Sequence, residues 1–303
     1  HDDRAVDRRA ATRGCRCEAS TRRVALTVRI TTPKLLDLSP TWAPFAGWTV
    51  LFDNPGPRSG TVPEGDLDRL EVVDGTDGTA LYSRLERVQR AVDARVGGAP
   101  VAWLPPSSFH VTVMDGLSAP HVDLLGGERA AWLASVLERI PDVAASFDTA
   151  LPDGFDLDAL FDAVQASSLD LELDAVECRG HAILADLTPI RTARPAFGRI
   201  ERVRRSTLGA LGDLVGFDLT TPWTPHVTLG YVANRDAAKE LRGPIEEAAA
   251  TVDAAPAEQQ LTLAAASPYV YTSMTTYYRA RRRGWLRRTG SSAGRLLRRG
   301  REA

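Results

Sequence analysis

The stretch "PPSSFHVTVMDG" at residues 105–116 sets a histidine, His110, and a threonine, Thr112, in alternation with valines. The same order returns as "HVTL" within "PWTPHVTLGYV" at residues 222–232, and a proline-rich turn precedes both copies. Successive side chains of a strand point to opposite faces of its sheet. Each copy therefore predicts a strand with one apolar face and one face that carries an imidazole beside a hydroxyl.

Across a shared cleft, the two polar faces would bring together His110, Thr112, His226 and Thr228. Histidine titrates near neutral pH, so a neutral imidazole can take a proton from water while a protonated one gives a proton to a leaving oxygen. Threonine hydroxyls can donate hydrogen bonds to phosphate oxygens as charge builds up on them. The four residues are thus candidate catalytic residues of a phosphodiesterase, with His226 as the base, His110 as the acid, and a swap of these roles left open.

A histidine that only satisfies its own hydrogen bonds at a strand edge is the alternative for either copy taken alone. Recurrence of the pattern at two of the five histidines favours a functional site. His121 is expected in a loop, and His181 starts a strand without a hydroxyl residue two positions on, so both are interpreted as structural. No spacing typical of metal ligands occurs, and neither a metal nor another cofactor is expected.

The order of predicted elements alternates strands with amphipathic helices and looks like two similar halves in tandem. Strands are predicted at 24–30, 47–54, 169–178, 181–189, 258–267 and 269–274, besides the two motif strands, and 99–107 is predicted as a strand followed by a turn. Helices are predicted at 79–96, 127–140, 156–167, 194–211 and 235–252, the third beginning at Asp156 as N-cap and the last kinked or split at Pro244. The segment 142–156 is expected to be a loop. We predict an α+β fold of two duplicated lobes, with two mainly antiparallel sheets flanked by helices around a central cleft.

The composition is that of a globular protein, with 303 residues, 44% of them hydrophobic and 25% charged. No apolar run approaches the roughly 20 residues of a transmembrane helix, and the N-terminus lacks the apolar core of a secretory signal. Three cysteines, with two of them close together in a polar segment, do not make a disulfide framework. A cytoplasmic monomer is expected.

Charge is distributed unevenly along the chain. Residues 279–303 hold ten arginines and one glutamate, whereas Lys34 and Lys239 are the only lysines of the chain. This Arg-rich tail could hold RNA or an acidic membrane surface by electrostatic attraction, or it could be a disordered end shaped by codon bias. The arginines of helix 194–211, Arg202, Arg204 and Arg205, could likewise face a polyanion or simply solvent.

The motifs "HVTV" and "HVTL" resemble those of the two-histidine (2H) phosphoesterase superfamily, which includes 2'-5' RNA ligase-like proteins and cyclic phosphodiesterases. The flanks "LPPSSFHVTVMDG" and "YVYTSMTTYYRA" are more similar to a poorly characterised bacterial branch of it. The resemblance implies a bilobed fold and metal-independent action on a cyclic or 2'-5' phosphodiester of a nucleotide or RNA end. It also implies that His110 and His226 are catalytic and that Thr112 and Thr228 bind phosphate.

Three regions follow from this resemblance: an N-terminal extension at 1–39, partly disordered, the phosphoesterase-like domain at 40–278, and the tail at 279–303. Tyr231 and Tyr271 are candidate substrate-binding residues that could stack on a base, although burial in the sheets is the commoner fate of tyrosines. The motifs lie far apart for the family, and the extra length is expected in 141–168, as a lid or a surface insertion. A non-catalytic nucleotide- or RNA-binding module and a 2'-5' RNA ligase are the alternative functions.

Overall fold

The computed structural model describes residues 29–38, 42–53, 61–71 and 80–281. The helices are α1 Ala80–Val96, α2 Ala119–Val122, α3 Gly127–Glu138, α4 Asp158–Gln165, α5 Arg194–Val215 and α6 Arg235–Ala250. The strands are β1 Gly47–Phe52, β2 Thr61–Glu64, β3 Leu67–Leu70, β4 Val101–Trp103, β5 Thr112–Ser118, β6 Leu169–Arg179, β7 Ala182–Pro189, β8 His226–Val232, β9 Gln260–Leu263, β10 Ala266–Ser273 and β11 Thr276–Arg279. Short 3-10 helices occupy Pro106–Ser108, Asp142–Ala150 and Pro256–Glu258.

The strands form two antiparallel sheets, which confirms the predicted α+β fold. One sheet has six strands in the order β2-β3-β11-β10-β1-β5, and the other has five in the order β4-β8-β7-β6-β9. The sheets are not consecutive halves of the chain. The early strand β4 pairs with β8, and the late strands β10 and β11 complete the six-stranded sheet. The expected tandem arrangement is therefore replaced by two lobes that exchange strands.

The predicted helices are present, with changed ends. The apolar spacing of α1 places Leu81, Leu85, Val88 and Val92 in the core, as one stripe of an amphipathic helix should be. α5 is longer than predicted and ends at Gly216, whose φ of 93° is the left-handed conformation that favours glycine at a helix C-terminus. α6 runs through Pro244 as one helix, so of the two outcomes predicted there, a kink or a split, the split is not present.

The segment 141–168 is neither a lid nor a surface insertion. Its 3-10 helix stands where a loop was predicted for 142–156, whereas α4 confirms the helix predicted at 156–167. Phe147, Leu157 and Leu160 are fully buried. Phe147 packs edge-on against Trp48 of β1, with ring centroids 5.6 Å apart. The N-cap of α4 is Leu157 rather than Asp156. The extra length therefore thickens the hydrophobic core.

The hairpin of β2 and β3 was missed, because these short strands are only partly buried and alternate weakly. Residues 24–28 of the first predicted strand lie outside the described residues, as does 282–303 of the Arg-rich tail. Residues 29–38 are attached to the chain that follows β8 and to the residues before β1. The Thr31 N–H donates to the Ala233 carbonyl at 2.8 Å, and Leu35 forms a β-bridge with Trp42.

Within the described ranges, no helix combines the length and the apolar character needed to cross a membrane.

Candidate active site

A cavity of about 560 Å³ lies where the two motif strands meet. It is lined by all six residues singled out in the sequence, namely His110, Thr112, His226, Thr228, Tyr231 and Tyr271. The predicted alternation holds in both copies. His110 and Thr112 are half-buried on the cavity side, whereas Val111 and Val113 are completely buried on the other. The cavity thus brings two imidazoles and two threonine hydroxyls into one space.

Both motif strands carry a β-bulge at the same place. The pairing of β5 with β1 slips by one residue at Val113, and the pairing of β8 with β7 slips by one residue at Leu229. Each bulge lies three positions after its motif histidine. A bulge inserts one extra residue and so changes which face the following side chains occupy. As a result, Asp115 and Tyr231, each five positions after its histidine, also line the cavity.

Each bulge is held by a buried polar side chain from a helix. The extra residue of a bulge is left out of the regular ladder of hydrogen bonds. The guanidinium of Arg204, on α5, donates to the carbonyl of Val113 at 2.8 Å. The amide of Gln89, on α1, donates to the carbonyl of Leu229 at 2.7 Å and to that of Leu104 at 2.8 Å. α5 thereby stabilises β5 of the six-stranded sheet, and α1 stabilises β8 of the five-stranded sheet.

For Arg204, the expectation that the α5 arginines face a polyanion or solvent needs correction. Its side chain is only 3% exposed and lies in the wall of the cavity rather than on a solvated helix face. Besides the bulge carbonyl, it donates to the carbonyl of Thr221 at 2.7 Å and so fixes the loop between α5 and β8. Trp223 of that loop donates its indole N–H to the carbonyl of Thr112 at 3.0 Å. The loop before the second motif is therefore tied directly to the first motif strand.

The two catalytic candidates share one tautomer. The Nδ1 atom of His110 lies 2.8 Å from the carbonyl of Ser108, and that of His226 lies 2.8 Å from the carbonyl of Thr224. A carbonyl oxygen only accepts hydrogen bonds, so Nδ1 carries the hydrogen in both rings. Nε2 is left as the atom that can accept or give a proton in the cavity. The carbonyl two residues before each histidine fixes this arrangement twice.

The surroundings of the two rings differ. His110 packs against Tyr277, with ring centroids 4.7 Å apart. Loss of solvation lowers the pKa of His110 to about 4, although its hydrogen bond to the Ser108 carbonyl opposes the shift. His226 instead stands opposite Asp186 in the pairing of β8 with β7. Burial raises the pKa of the Asp186 carboxyl, and Arg179, 2.5 Å away, opposes that shift.

Tyr231 and Tyr271 line the cavity but are largely enclosed, with 5% and 9% of their surface exposed. Tyr271 stacks on Phe45, with centroids 6.1 Å apart. The hydroxyl of Tyr231 donates to the sulfur of Met274 at 3.5 Å. Burial in the sheets, the alternative weighed from the sequence, accounts for most of each ring, and only the parts that line the cavity can meet a ligand.

His121 and His181 differ from the motif histidines. His121 lies in α2 rather than in a loop and also lines the cavity. Its Nδ1 accepts from the Ser118 N–H at 3.0 Å, so its hydrogen sits on Nε2, the opposite tautomer. Burial lowers its pKa. His181 contacts the hydroxyl of Thr31 at 3.2 Å, and it is not among the residues that line the cavity.

Lys34, Asp115 and Asp218 are the charged cavity residues that sequence reasoning missed. Asp115 carries a signal in its motif, because it stands five positions after His110, where the second motif has Tyr231. Lys34 carries none, since it comes from the segment before the first strand of the body. Within the described parts of the chain, no group of three or more His, Cys, Asp or Glu side chains is arranged to hold a metal ion.

Comparisons with known proteins give distant likenesses only. No protein-family model matches the chain, and no curated protein matches it. Among solved structures, a conserved protein of unknown function, ATU0111 from Agrobacterium tumefaciens, is 14% identical at a TM-score of 0.45, covering 84% of this chain and 90% of that one. E. coli LigT complexed with 3'-AMP is 12% identical at 0.36, covering 78% and 95%. Usb1 of Kluyveromyces marxianus with uridine monophosphate is 11% identical at 0.36, covering 77% and 98%. These values carry no argument about activity, which rests on the residues of the cavity.

Proposed function

We propose that this protein is a metal-independent phosphodiesterase of the two-histidine type. One observation carries the proposal: two His-x-Thr motifs line one cavity with the same bulge, the same Nδ1 anchor and the same free Nε2 atom. Two imidazoles supply a base and an acid, and two threonine hydroxyls supply donors to the non-bridging oxygens. This is the complete set of groups that hydrolysis of a phosphodiester needs.

His110 is the better candidate for the base, which reverses the assignment favoured by the sequence. Its lowered pKa keeps the ring neutral at physiological pH, so its Nε2 can accept a proton. His226 is then the acid, and Asp186 across the strand gives it an anionic neighbour. Water attacks phosphorus and passes its proton to Nε2 of His110. The bond from phosphorus to the leaving oxygen breaks as His226 protonates that oxygen, and a phosphomonoester is released.

The proposed substrate is a nucleotide or RNA end that carries a cyclic or 2'-5' phosphodiester. Thr112 and Thr228 would hold the reacting phosphate, and the cavity-facing parts of Tyr231 and Tyr271 would contact the nucleoside. Contact of the Arg-rich tail with RNA or an acidic surface, the cytoplasmic location and the monomeric state stay predictions. So does the domain boundary at residue 40.

Hydrolysis of 2',3'-cyclic nucleotides, 3',5'-cyclic nucleotides and 2'-5' oligoadenylate in EDTA tests the proposal. His110→Ala and His226→Ala should each lose at least about 100-fold in kcat/KM, the usual contribution of an acid or base. His181→Ala, outside the cavity, is the matched control and should keep its activity. Binding without turnover by folded wild type would favour the nucleotide-binding module. Formation of 2'-5' linkages from cleaved halves would favour the ligase.

A further inference from the structure

The segment before β1 delivers a lysine to the cavity. The Lys34 ammonium lies 3.0 Å from the hydroxyl of Tyr231. It also sits over the rings of Tyr231 and Phe45, 4.7 and 5.5 Å from their centroids. Both aromatic residues line the same cavity as the motif histidines. The Lys34 ammonium is therefore held against Tyr231, the residue five positions after His226.

The backbone around Lys34 is anchored, so its position is built into the fold. Its carbonyl accepts from the Ala43 N–H at 3.0 Å. The next residue, Leu35, is 5% exposed and pairs with Trp42. Further back, the Asn234 side chain donates to the carbonyl of Arg29 at 2.9 Å. The segment is thus attached to the end of β8, the strand that carries the second motif.

The charge of Lys34 is uncompensated within the described ranges, where no carboxylate forms a salt bridge with it. An ammonium has three N–H donors, and the Tyr231 hydroxyl takes one of them. Two carboxylates line the cavity, Asp115 and Asp218. Asp115 interacts with Arg204, His121 and His110, and Asp218 accepts hydrogen bonds from the N–H and the hydroxyl of Thr220 at 2.8 and 2.6 Å. A second cation, Arg204, also lines the cavity, but its guanidinium donates to the carbonyls of Val113 and Thr221. Of these two cations, Lys34 is therefore the one whose donors are left for a ligand.

We propose that Lys34 binds a second phosphate of the substrate, the one on the 5' side of the reacting nucleotide. The inference rests on the proposed function, in which two threonines and a protonated histidine already serve the single charge of the reacting diester. An additional fixed cation matches an additional anionic group. The preferred substrate class is then the end of an RNA chain, whose preceding phosphate lies toward Lys34, rather than an isolated mononucleoside cyclic phosphate.

Two substrates that differ by one phosphate test this directly. Wild type should hydrolyse 5'-phosphoadenosine 2',3'-cyclic phosphate with a kcat/KM about ten- to hundred-fold above that of adenosine 2',3'-cyclic phosphate, the range of a hydrogen bond to a charged group. Lys34→Met keeps the apolar stem and should abolish the preference through KM while leaving the unphosphorylated substrate unchanged. Lys34→Arg should retain most of it. Lys239→Met removes the other lysine of the chain, which is exposed on α6, and should behave as wild type.

Equal losses on both substrates in Lys34→Met would overturn the inference, because Lys34 would then serve the reacting phosphate. Unchanged kinetics on both would overturn it as well. Calorimetric binding separates this inference from the proposed function. Lys34→Met should lose affinity for adenosine 3',5'-bisphosphate but not for adenosine 3'-phosphate, even if no substrate is turned over. Equal affinities of wild type and Lys34→Met for the bisphosphate would refute the assignment of Lys34.

Discussion

Replacing Arg204 by methionine should destabilise the protein through one buried carbonyl. Val113 is fully buried, so its carbonyl would lose the guanidinium donor, 2.8 Å away, without water to replace it. An unsatisfied buried acceptor costs about 1–3 kcal/mol. The carbonyl of Thr221 belongs to an exposed residue that can return to water, and its lost hydrogen bond adds about 1 kcal/mol. The expected loss in the free energy of unfolding is therefore about 2–4 kcal/mol.

The adjacent Arg205 provides a matched control on the same helix. Its side chain is 65% exposed and pairs with Glu201 at 3.0 Å, a surface salt bridge worth about 0–1 kcal/mol. Urea unfolding followed by tryptophan fluorescence measures both variants, with an unchanged m-value confirming that only stability has moved. Because Arg204 also holds the bulge that aims the first motif, the folded Arg204→Met protein should have a lower kcat than wild type. A stability loss in Arg204→Met no larger than in Arg205→Met would refute the stabilising role of the hydrogen bond from Arg204 to the Val113 carbonyl.

Two further predictions concern the acid limb of the pH profile and the packing beneath the first motif. The profile of kcat/KM should be bell-shaped, with an acid limb near pH 4 set by protonation of His110. Tyr277→Ala admits water to that ring and should move the limb upward toward the ordinary histidine pKa of about 6.5; a wild-type limb already near 6.5 would contradict the assignment of His110 as the base. Gly116→Ala should destabilise strongly, because its new Cβ would collide with the Trp48 ring and backbone. Gly198→Ala, in a helix and with open space around it, should stabilise by about 0.5–1 kcal/mol; thermal melts of both variants check the pair, and equal melting temperatures would be the contrary result.

The alternation of the motifs was enough to predict the two faces of each motif strand, since a period of two is a local property of a strand. The same holds for α1, whose apolar stripe is visible in sequence. The bulges at Val113 and Leu229 were not predictable in this way. Both residues are ordinary buried hydrophobes, and the slip exists only relative to the partner strand. Without those slips, strict alternation would place Asp115 and Tyr231 on the face away from the cavity. The slips bring both residues to the cavity.

Long-range placement accounts for the other misses. Lys34 lies 197 positions from the tyrosine that it contacts, and nothing in its neighbourhood marks it as a cavity residue. Strand β4 has three residues, too few to indicate which sheet it joins. Arg204 and Arg205 are neighbours on one basic helix. A helical pattern assigns both to a charged face, whereas the bulge carbonyl of Val113 draws only Arg204 inward.

The repeated features of the two motifs cannot by themselves decide which histidine is the base. The His-x-Thr order, the bulge and the Nδ1 anchor are the same on both sides, so any difference in role must come from what surrounds each ring. His110 packs against an aromatic ring and loses solvation, which disfavours its charged form. His226 faces a strand that carries a carboxylate, Asp186, whose Oδ1 atom is buried without a hydrogen-bond partner. Asp186 gives His226 a carboxylate neighbour that Arg179 also contacts, and this neighbour favours the proposed role of His226 as the acid. If Asp186 supports proton donation by His226, Asp186→Asn should lower kcat most for substrates with poor leaving groups. An activated aryl phosphodiester, whose leaving group needs little protonation, should be affected least. Equal losses on both kinds of leaving group would mean that Asp186 supports the fold rather than the acid.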